Sequence, residues 1–150
     1  MAQRPLWTCP RCGKSYVTRN MWHSCVTVPL DSHFGGRPRS RELYDAVVDF
    51  LEADGPVTVS ISKTRIEFMT RAHFGGVRVM RDWPWLAFWL KRRIESDRFD
   101  KVDYYGGRDW GYRLRLRDES QLDDELRGWL GESRTVGDQL PQTPGRNIGT

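Results

Sequence analysis

The stretch Trp110-Gly-Tyr-Arg-Leu-Arg-Leu-Arg117 decides the fold, because its apolar and basic residues alternate. The apolar members fall on one side of an extended chain and the basic members on the other: Tyr112, Leu114 and Leu116 against Arg113, Arg115 and Arg117. Such alternation predicts a half-buried strand. The turn sequence Gly106-Gly-Arg-Asp109 separates it from a second candidate strand, Val102 to Tyr105, and the two predict a hairpin.

Further strand patterns precede this hairpin. Val57 to Ile61 alternates apolar and polar residues, and a second alternation begins at Ile66, so these segments also predict a hairpin. The pattern continues in three more segments, with breaks at Gly75-Gly76 and at Asp82-Trp83-Pro84: Ala72 to Phe74, Val77 to Met80 and Trp85 to Leu90. Because short connections join consecutive strands, we expect an antiparallel sheet.

Two segments carry the periodicity of amphipathic helices. The first begins at the predicted cap Ser40, ends at Gly55-Pro56, and has the apolar stripe Leu43, Val47, Phe50 and Leu51. The second begins at the predicted cap Asp118, with Gln121 three residues later, and ends before Gly131. Its stripe is Leu122, Leu126, Trp129 and Leu130. We expect both stripes to pack on the sheet.

Cysteine and histidine residues cluster before the first helix. Cys9-Pro-Arg-Cys12 followed by Gly13 has the spacing of a zinc knuckle, in which two thiolates in a tight turn share one ion. His23 and Cys25 complete a set of three sulfurs and one nitrogen, which predicts a closed, structural Zn²⁺ site. A redox pair and three unligated cysteines are the alternatives. His33 is a further alternative ligand, in place of either His23 or Cys25.

These elements predict an α+β protein with a small N-terminal zinc knuckle followed by a curved antiparallel sheet packed with two helices. The predicted divisions are a lead at residues 1–8, a zinc-binding module and connector at 9–39, an α+β domain at 40–132 and a tail at 133–150. The tail is rich in Thr, Gln, Pro and Gly, and we expect it to be disordered.

Composition fits a single core in a chain of 150 residues, 38% of which are hydrophobic. Trp83 to Leu90, the richest apolar run, is far too short to span a membrane, and the first residues lack the apolar core of a secretory signal. We therefore expect a cytoplasmic protein with no membrane partner. Three cysteines in a reducing compartment favour metal binding over disulfides.

Positive charge is concentrated at the N-terminal end. Residues 1–41 hold seven basic residues and one acidic residue, although the net charge of the whole chain is only +4. Basic and aromatic residues together favour binding of DNA or RNA, and the candidate contacts are Arg11, Lys14, Tyr16, Arg19, Arg37 and Arg39. The alternatives are a solvated positive face and a small hydrophobic core that includes Tyr16.

A second candidate site lies in the predicted sheet. Basic residues and a histidine near tryptophans could line a pocket for a small anionic ligand: Lys63, Arg65, Arg71, His73 and Trp89. Ordinary surface strands carry the same residue types. Because the chain contains no known catalytic motif, we favour a non-enzymatic binding module over a catalytic pocket. A protein-interaction adaptor that uses the zinc module is a third hypothesis.

Several motifs resemble one known family when taken in order. They are Trp7-Thr-Cys-Pro-Arg-Cys-Gly, Trp22-His-Ser-Cys, His33-Phe-Gly-Gly-Arg-Pro, Lys63-Thr-Arg-Ile-Glu-Phe, Phe88-Trp-Leu, Leu114-Arg-Leu-Arg, Leu122-Asp-Asp-Glu-Leu and Trp129-Leu. The chain resembles the bacterial family catalogued as domain of unknown function 5655 over roughly residues 7 to 132. The resemblance implies a small α+β domain, here behind a zinc knuckle, and no established reaction. Some relatives look like domains attached to nuclease-like or transport-labelled proteins, which gives limited support to a nucleic-acid setting.

Overall fold

The N-terminal segment forms a small unit of its own in the computed structural model, which describes residues 5–20, residue 25 and residues 28–139. Two short strands, β1 (Trp7–Thr8) and β2 (Ser15–Tyr16), pair antiparallel. A 3-10 turn at Leu30–His33 and the helix α1 (Pro38–Glu52) follow. The cysteine-rich segment is therefore a two-stranded unit that precedes the first helix.

The helix α1 begins earlier than the sequence predicted. Pro38 occupies its first turn, where the fixed φ of proline suits the helix and its missing N–H is not needed. Ser40, the predicted cap, lies inside the helix and is 3% exposed, so that prediction is wrong. The buried hydrophobic stripe is Leu43, Tyr44, Val47 and Leu51. The predicted apolar face is present, with Phe50 only partly buried at its edge.

Six strands form one antiparallel sheet, as predicted. They are β3 (Thr58–Ile61), β4 (Ile66–Met69), β5 (His73–Val79), β6 (Pro84–Leu90), β7 (Lys101–Gly106) and β8 (Asp109–Arg115). Their order is β3-β4-β5-β6-β8-β7, so β8 lies between β6 and β7. The sheet is open, with β3 and β7 at its edges.

The strand β5 continues through Gly75 and Gly76, which the sequence pattern predicted as a break. A Cβ atom on Gly75 would lie 2.5 Å from the carbonyl oxygen of Ala87, and one on Gly76 would lie 2.5 Å from that of Ile66. The two glycines therefore allow neighbouring strands to approach closely, and they do not form a turn.

The last helix is displaced from its predicted position. The capping box of Asp118 and Gln121 is present, but it caps a 3-10 turn at Glu119–Gln121. The helix α2 (Asp124–Gly137) begins after its own cap, Asp123. It continues past Gly131, so residues 133–137 are helical and do not belong to a tail; residues 140–150 lie outside the described residues.

Tertiary contacts explain the extra turn of α2. The buried hydroxyl of Ser133 donates a hydrogen bond to the carbonyl of Phe74, at 2.7 Å. Arg134 donates hydrogen bonds to the carbonyl of Leu51, in the last turn of α1, and to those of Gly55 and Pro56, which follow that helix. These bonds join the C-terminal turn of α2 to the sheet and to α1.

Both helices cover the same face of the sheet, which we call the covered face. Its largest fully buried side chains include Phe68, Leu86, Phe88, Tyr112 and Leu114. The ring of Phe88 lies between Tyr112, at a centroid distance of 5.6 Å, and Trp129 of α2, at 6.4 Å. Within the described part of the chain, neither helix has the length and apolar character needed to cross a membrane.

Candidate functional site

The Cys-x-x-Cys segment forms a tight turn between β1 and β2. The N–H of Cys9 donates to the carbonyl of Lys14, at 2.8 Å, and the N–H of Gly13 donates to the carbonyl of Cys9, at 2.9 Å. Gly13 has a φ of +79°, a conformation that residues with a Cβ rarely adopt. The turn holds Cys9 and Cys12 on one small loop, as the sequence predicted.

Three cysteine sulfurs come together at this turn. The Sγ atoms of Cys9, Cys12 and Cys25 all lie within 4.8 Å of one another, and those of Cys9 and Cys25 are 3.7 Å apart. Two thiolates on a tetrahedral zinc ion, each bonded at about 2.3 Å, would lie about 3.8 Å apart. No disulfide joins the three residues. The arrangement therefore fits a metal ion.

The sulfur of Cys9 is prepared to act as a thiolate. Burial raises its pKa, but hydrogen bonds from the backbone N–H groups of Arg11 and Cys12 outweigh burial and lower the pKa to about 6. Burial and hydrogen bonding with Cys9 and Cys12 raise the pKa of Cys25. Because the thiolate is the form that binds a metal, a cation would be needed to hold all three sulfurs deprotonated.

The predicted site needs a histidine as its fourth ligand, in addition to the three cysteines. His23, which the sequence predicts for that position, lies outside the described residues. His33, the alternative, is not part of the cluster, because its Nε2 atom lies 2.7 Å from the carbonyl oxygen of Ser62. The structure thus brings together Cys9, Cys12 and Cys25.

The cysteine unit packs beside the face of the sheet that the helices leave uncovered, which we call the open face. The ring of Tyr16 in β2 makes an edge contact with His73 in β5, at a centroid distance of 6.1 Å. The Nδ1 atom of His73 lies 3.1 Å from a carboxylate oxygen of Glu67. Its Nε2 atom is buried and has no hydrogen-bond partner in the part of the chain that the structure describes.

Glu67 is an ionised acceptor in this environment. The hydrogen bond from His73 lowers the pKa of its carboxyl group, burial raises it, and the charges of His73, Arg65 and Lys14 lower it further. The net shift is downward from the ordinary value of 4.5. The carboxylate therefore stays charged at neutral pH.

A trough of about 290 Å³ runs along the open face. Its floor is Gly76 and Ala87, which are direct partners in β5 and β6. Its walls are Trp85 and Trp89, which lie on either side of Ala87 along β6 and are about 13 Å apart at their Cα atoms. Because the floor residues are small, the space between the two indoles stays open.

Two charged residues lie at opposite ends of the floor. Glu67 is the strand partner of Gly76, and Arg113 is the strand partner of Ala87. The guanidinium of Arg113 binds Asp103 at 2.9 Å and lies over the ring of Trp85. The trough thus has an acceptor at one end of its floor and a donor at the other.

Two further arginines line the trough. Arg65 and Arg78 are exposed, and neither forms an ion pair with any of the described residues. Arg115 lies over Trp85, with its guanidinium carbon 4.8 Å from the ring centroid. The trough therefore combines flat aromatic surface with unneutralised positive charge.

The pocket predicted from the sequence coincides only in part with the trough. Arg65 and Trp89 line it, whereas Lys63, Arg71 and His73 do not. Lys63 is exposed in the connection between β3 and β4, and Arg71 donates to the side chain of Gln139, at 3.1 Å. The sequence did not identify Glu67, Gly76, Arg78 and Arg113 as site residues. The alternation of residues in β6 and β8 did indicate that Trp85, Trp89 and Arg113 lie on the opposite face of the sheet from the buried residues.

The predicted nucleic-acid contacts fall into two groups. Arg11, Lys14, Tyr16 and Arg19 belong to the cysteine unit or the residues just after it. Arg37 donates to the backbone carbonyls of Gly35 and Arg81. Arg39 binds the carboxylates of three residues, Glu42, Asp118 and Glu119. The positive charge of Arg39 is therefore neutralised within the molecule, and it is a poor candidate for a phosphate contact.

Comparison with known proteins identifies a family. The sequence model of the family described as Domain of unknown function (DUF5655) matches residues 30–133, which is more than half of the chain. This confirms the resemblance seen in the sequence, but the match begins after Cys25, so the cysteine cluster precedes the matched residues. No curated protein and no solved structure matches the chain.

Proposed function

The chain belongs to the DUF5655 family, and because the description of that family names no activity, we propose a function from the geometry of the chain itself. The protein is a binding module. Its trough binds single-stranded nucleic acid, and its cysteine cluster holds Zn²⁺ that fixes the basic N-terminal unit beside the trough.

The single observation that carries this proposal is the composition of the trough. Trp85 and Trp89 offer flat rings on which bases stack, and stacking on aromatic side chains contributes about 1–3 kcal/mol per base. Arg65 and Arg78 supply positive charge for phosphates, and neither forms an ion pair among the described residues. A duplex conceals the faces of its bases, so this combination favours a single strand.

The neighbouring cysteine unit adds positive charge on the same side. The charges of Lys14 and Arg65 both act on the carboxyl group of Glu67, so both lie near one end of the trough. Arg11 is exposed in the knuckle turn. A nucleic-acid strand that leaves the trough past Glu67 would meet this basic unit. Of the contacts predicted from the sequence, we therefore propose that Arg11 and Lys14 bind nucleic acid.

Zn²⁺ is the metal that best suits the cluster. Three thiolates are soft ligands that select zinc over the harder Mg²⁺ and Ca²⁺. With His23 as the fourth ligand, the site would be closed and structural. Its role would be to hold the turn that carries Arg11 and to place Tyr16 against His73.

Binding to a fluorescent single-stranded oligonucleotide tests the proposed function. We expect affinity to fall on the order of tenfold between 50 and 200 mM salt, because a few phosphate contacts release counterions. Arg78→Glu should weaken binding at least as strongly, whereas the matched control Arg117→Glu, at an exposed arginine that does not line the trough, should change it little. Equal losses in both variants, or no binding at low salt, would contradict the proposal.

Elemental analysis tests the metal. We expect one zinc per chain in purified protein and little in the Cys9→Ser variant, with Ser15→Ala as a control in the same unit. Zinc retained by Cys9→Ser would rule out the proposed ligand set. Protein that carries no metal would overturn the proposal of a structural zinc site.

A small anionic molecule with a flat ring is the second candidate ligand, because the trough volume is near the lower end for ligand pockets, about 300 Å³. A mononucleotide that raises the melting temperature as much as an eight-nucleotide strand does at equal concentration would favour this candidate. An affinity for oligonucleotides that increases with their length would favour nucleic acid.

A further inference from the structure

Glu67 is the only acidic residue among the described residues that line the trough. A carboxylate in a site for an anionic ligand costs binding energy unless the ligand gives it hydrogen-bond donors. The same carboxylate is held in place by His73, at 3.1 Å, and its side chain is only 22% exposed. Its position therefore indicates a specific acceptor and not a mobile surface charge.

The opposite end of the floor presents donors. The guanidinium of Arg113 has five N–H donors, and Asp103 occupies only part of them. Gly76 and Ala87, the two floor residues, lie between Glu67 and Arg113 in the same row across the sheet. A flat ring that stands on this floor with its faces toward the two indoles meets an acceptor, Glu67, on one edge and a donor fork, Arg113, on another.

We infer that the trough selects guanine, and this inference rests on the proposed function. Glu67 accepts the two adjacent donors of the guanine Watson–Crick edge, N1–H and the N2 amino group, and Arg113 donates to O6 and N7. The indoles of Trp85 and Trp89 flank the ring.

The other bases do not fit both ends of the floor. Adenine and cytosine each place an acceptor nitrogen beside their amino group on the Watson–Crick edge, and this nitrogen would repel the carboxylate of Glu67. Thymine and uracil present a single N–H between two carbonyl oxygens. Guanine alone offers paired donors on one edge and paired acceptors on another.

The test compares eight-nucleotide strands of thymidine in which one central position is dT, dA, dC, dG or deoxyinosine. We expect the dG strand to bind wild-type protein about tenfold more tightly than the dA, dC and dT strands. Deoxyinosine, which lacks the N2 amino group, should be intermediate. Guanosine monophosphate, measured by quenching of tryptophan fluorescence, gives the same comparison without a strand.

Two variants assign the preference to the proposed residues. Glu67→Gln keeps the size of the side chain but replaces one acceptor with a donor, so the ratio of the dG affinity to the dT affinity should fall below about twofold. Arg113→Gln should reduce the preference independently. Lys101→Gln, which removes a positive charge at the next position in the same row, is the control.

The outcomes separate the inference from the proposed function. Equal affinity for the five strands, or a dG preference that survives in Glu67→Gln, would overturn the guanine inference and leave single-strand binding standing. Failure of all strands and of guanosine monophosphate to bind would overturn both. A melting curve for each variant establishes that it is folded.

Discussion

The covered and open faces of the six-stranded sheet are built from the same strands but follow different rules. On β6, Leu86 and Phe88 point to the covered face and are fully buried, whereas Trp85, Ala87 and Trp89 between them are only half-buried. Large apolar side chains fill the covered face. Small residues, two indoles and charges make up the centre of the open face.

The residues of the covered face are required for stability, whereas those at the centre of the open face are not all explained by it. The helices must bury apolar area on the covered face, since burial is the main source of stability. Nothing in the packing of the core requires tryptophans on either side of Ala87, or Glu67 and Arg113 at the ends of its row. The open face is therefore the part of the sheet in which to look for function.

The largest expected effect is a difference in stability between substitutions at neighbouring positions on β6. Phe88→Ala should lower the free energy of unfolding by about 3–5 kcal/mol, because it removes a fully buried ring that contacts Tyr112 and Trp129. Trp89→Ala, on the open face, should cost at least about 2 kcal/mol less. Urea denaturation measures both, and equal losses would show that the open face also carries core packing.

Gly76 should tolerate substitution less well than its place on the open face suggests. A Cβ atom there would lie 2.5 Å from the backbone oxygen of Ile66, so Gly76→Ala should cost about 1–3 kcal/mol. Gly128→Ala is the matched control: this exposed helical glycine has no atom within 4 Å of a new Cβ, and alanine should stabilise α2 by about 0.5–1 kcal/mol. Thermal unfolding of both variants measures the contrast, and a harmless Gly76→Ala would contradict the tight strand approach.

The smallest expected effect concerns Glu67 and pH. Its pKa is below 4.5 in the folded protein, so its stabilising effect is present above that pH and is lost as the pH falls through the folded value. His73, Arg65 and Lys14 are the charged or titratable groups that act on it. We expect the melting temperatures of wild type and Glu67→Gln to differ most above pH 4.5 and to converge as the pH falls below that value. A constant difference over this range would contradict the downward shift.

Local patterns in the sequence predicted much of this architecture. The alternation in β8, the hairpin of β3 and β4 and the apolar stripe of α1 all depend on residues close together in the chain, and the structure confirms them. The Cys-x-x-Cys turn belongs to the same group. Its third sulfur, Cys25, was also predicted, because thiols at such spacing seldom serve another purpose.

The predictions that were wrong concern helix ends and the availability of one arginine, because contacts with residues distant in the sequence decide these features. The sequence predicts Ser40 as the cap of α1, but Pro38 starts the helix two residues earlier. It predicts that α2 ends before Gly131, but Ser133 and Arg134 bond to Phe74 on β5 and to Leu51 in the last turn of α1, and these bonds extend the helix. It predicts Arg39 as a phosphate contact, but three carboxylates bind this residue, and two of them come from the segment before α2.

The existence of the helices and strands, though not their exact ends, and the apolar side of each strand follow from the amino-acid sequence alone, because these properties repeat with the period of the backbone. The sequence also determined the cysteine cluster, whose spacing is local. By contrast, long-range packing places β8 between β6 and β7, and hence puts Arg113 in one row with Ala87, Gly76 and Glu67. Strand order and register are set by packing of the whole sheet against two helices, so the trough has no signature in any single stretch of the chain.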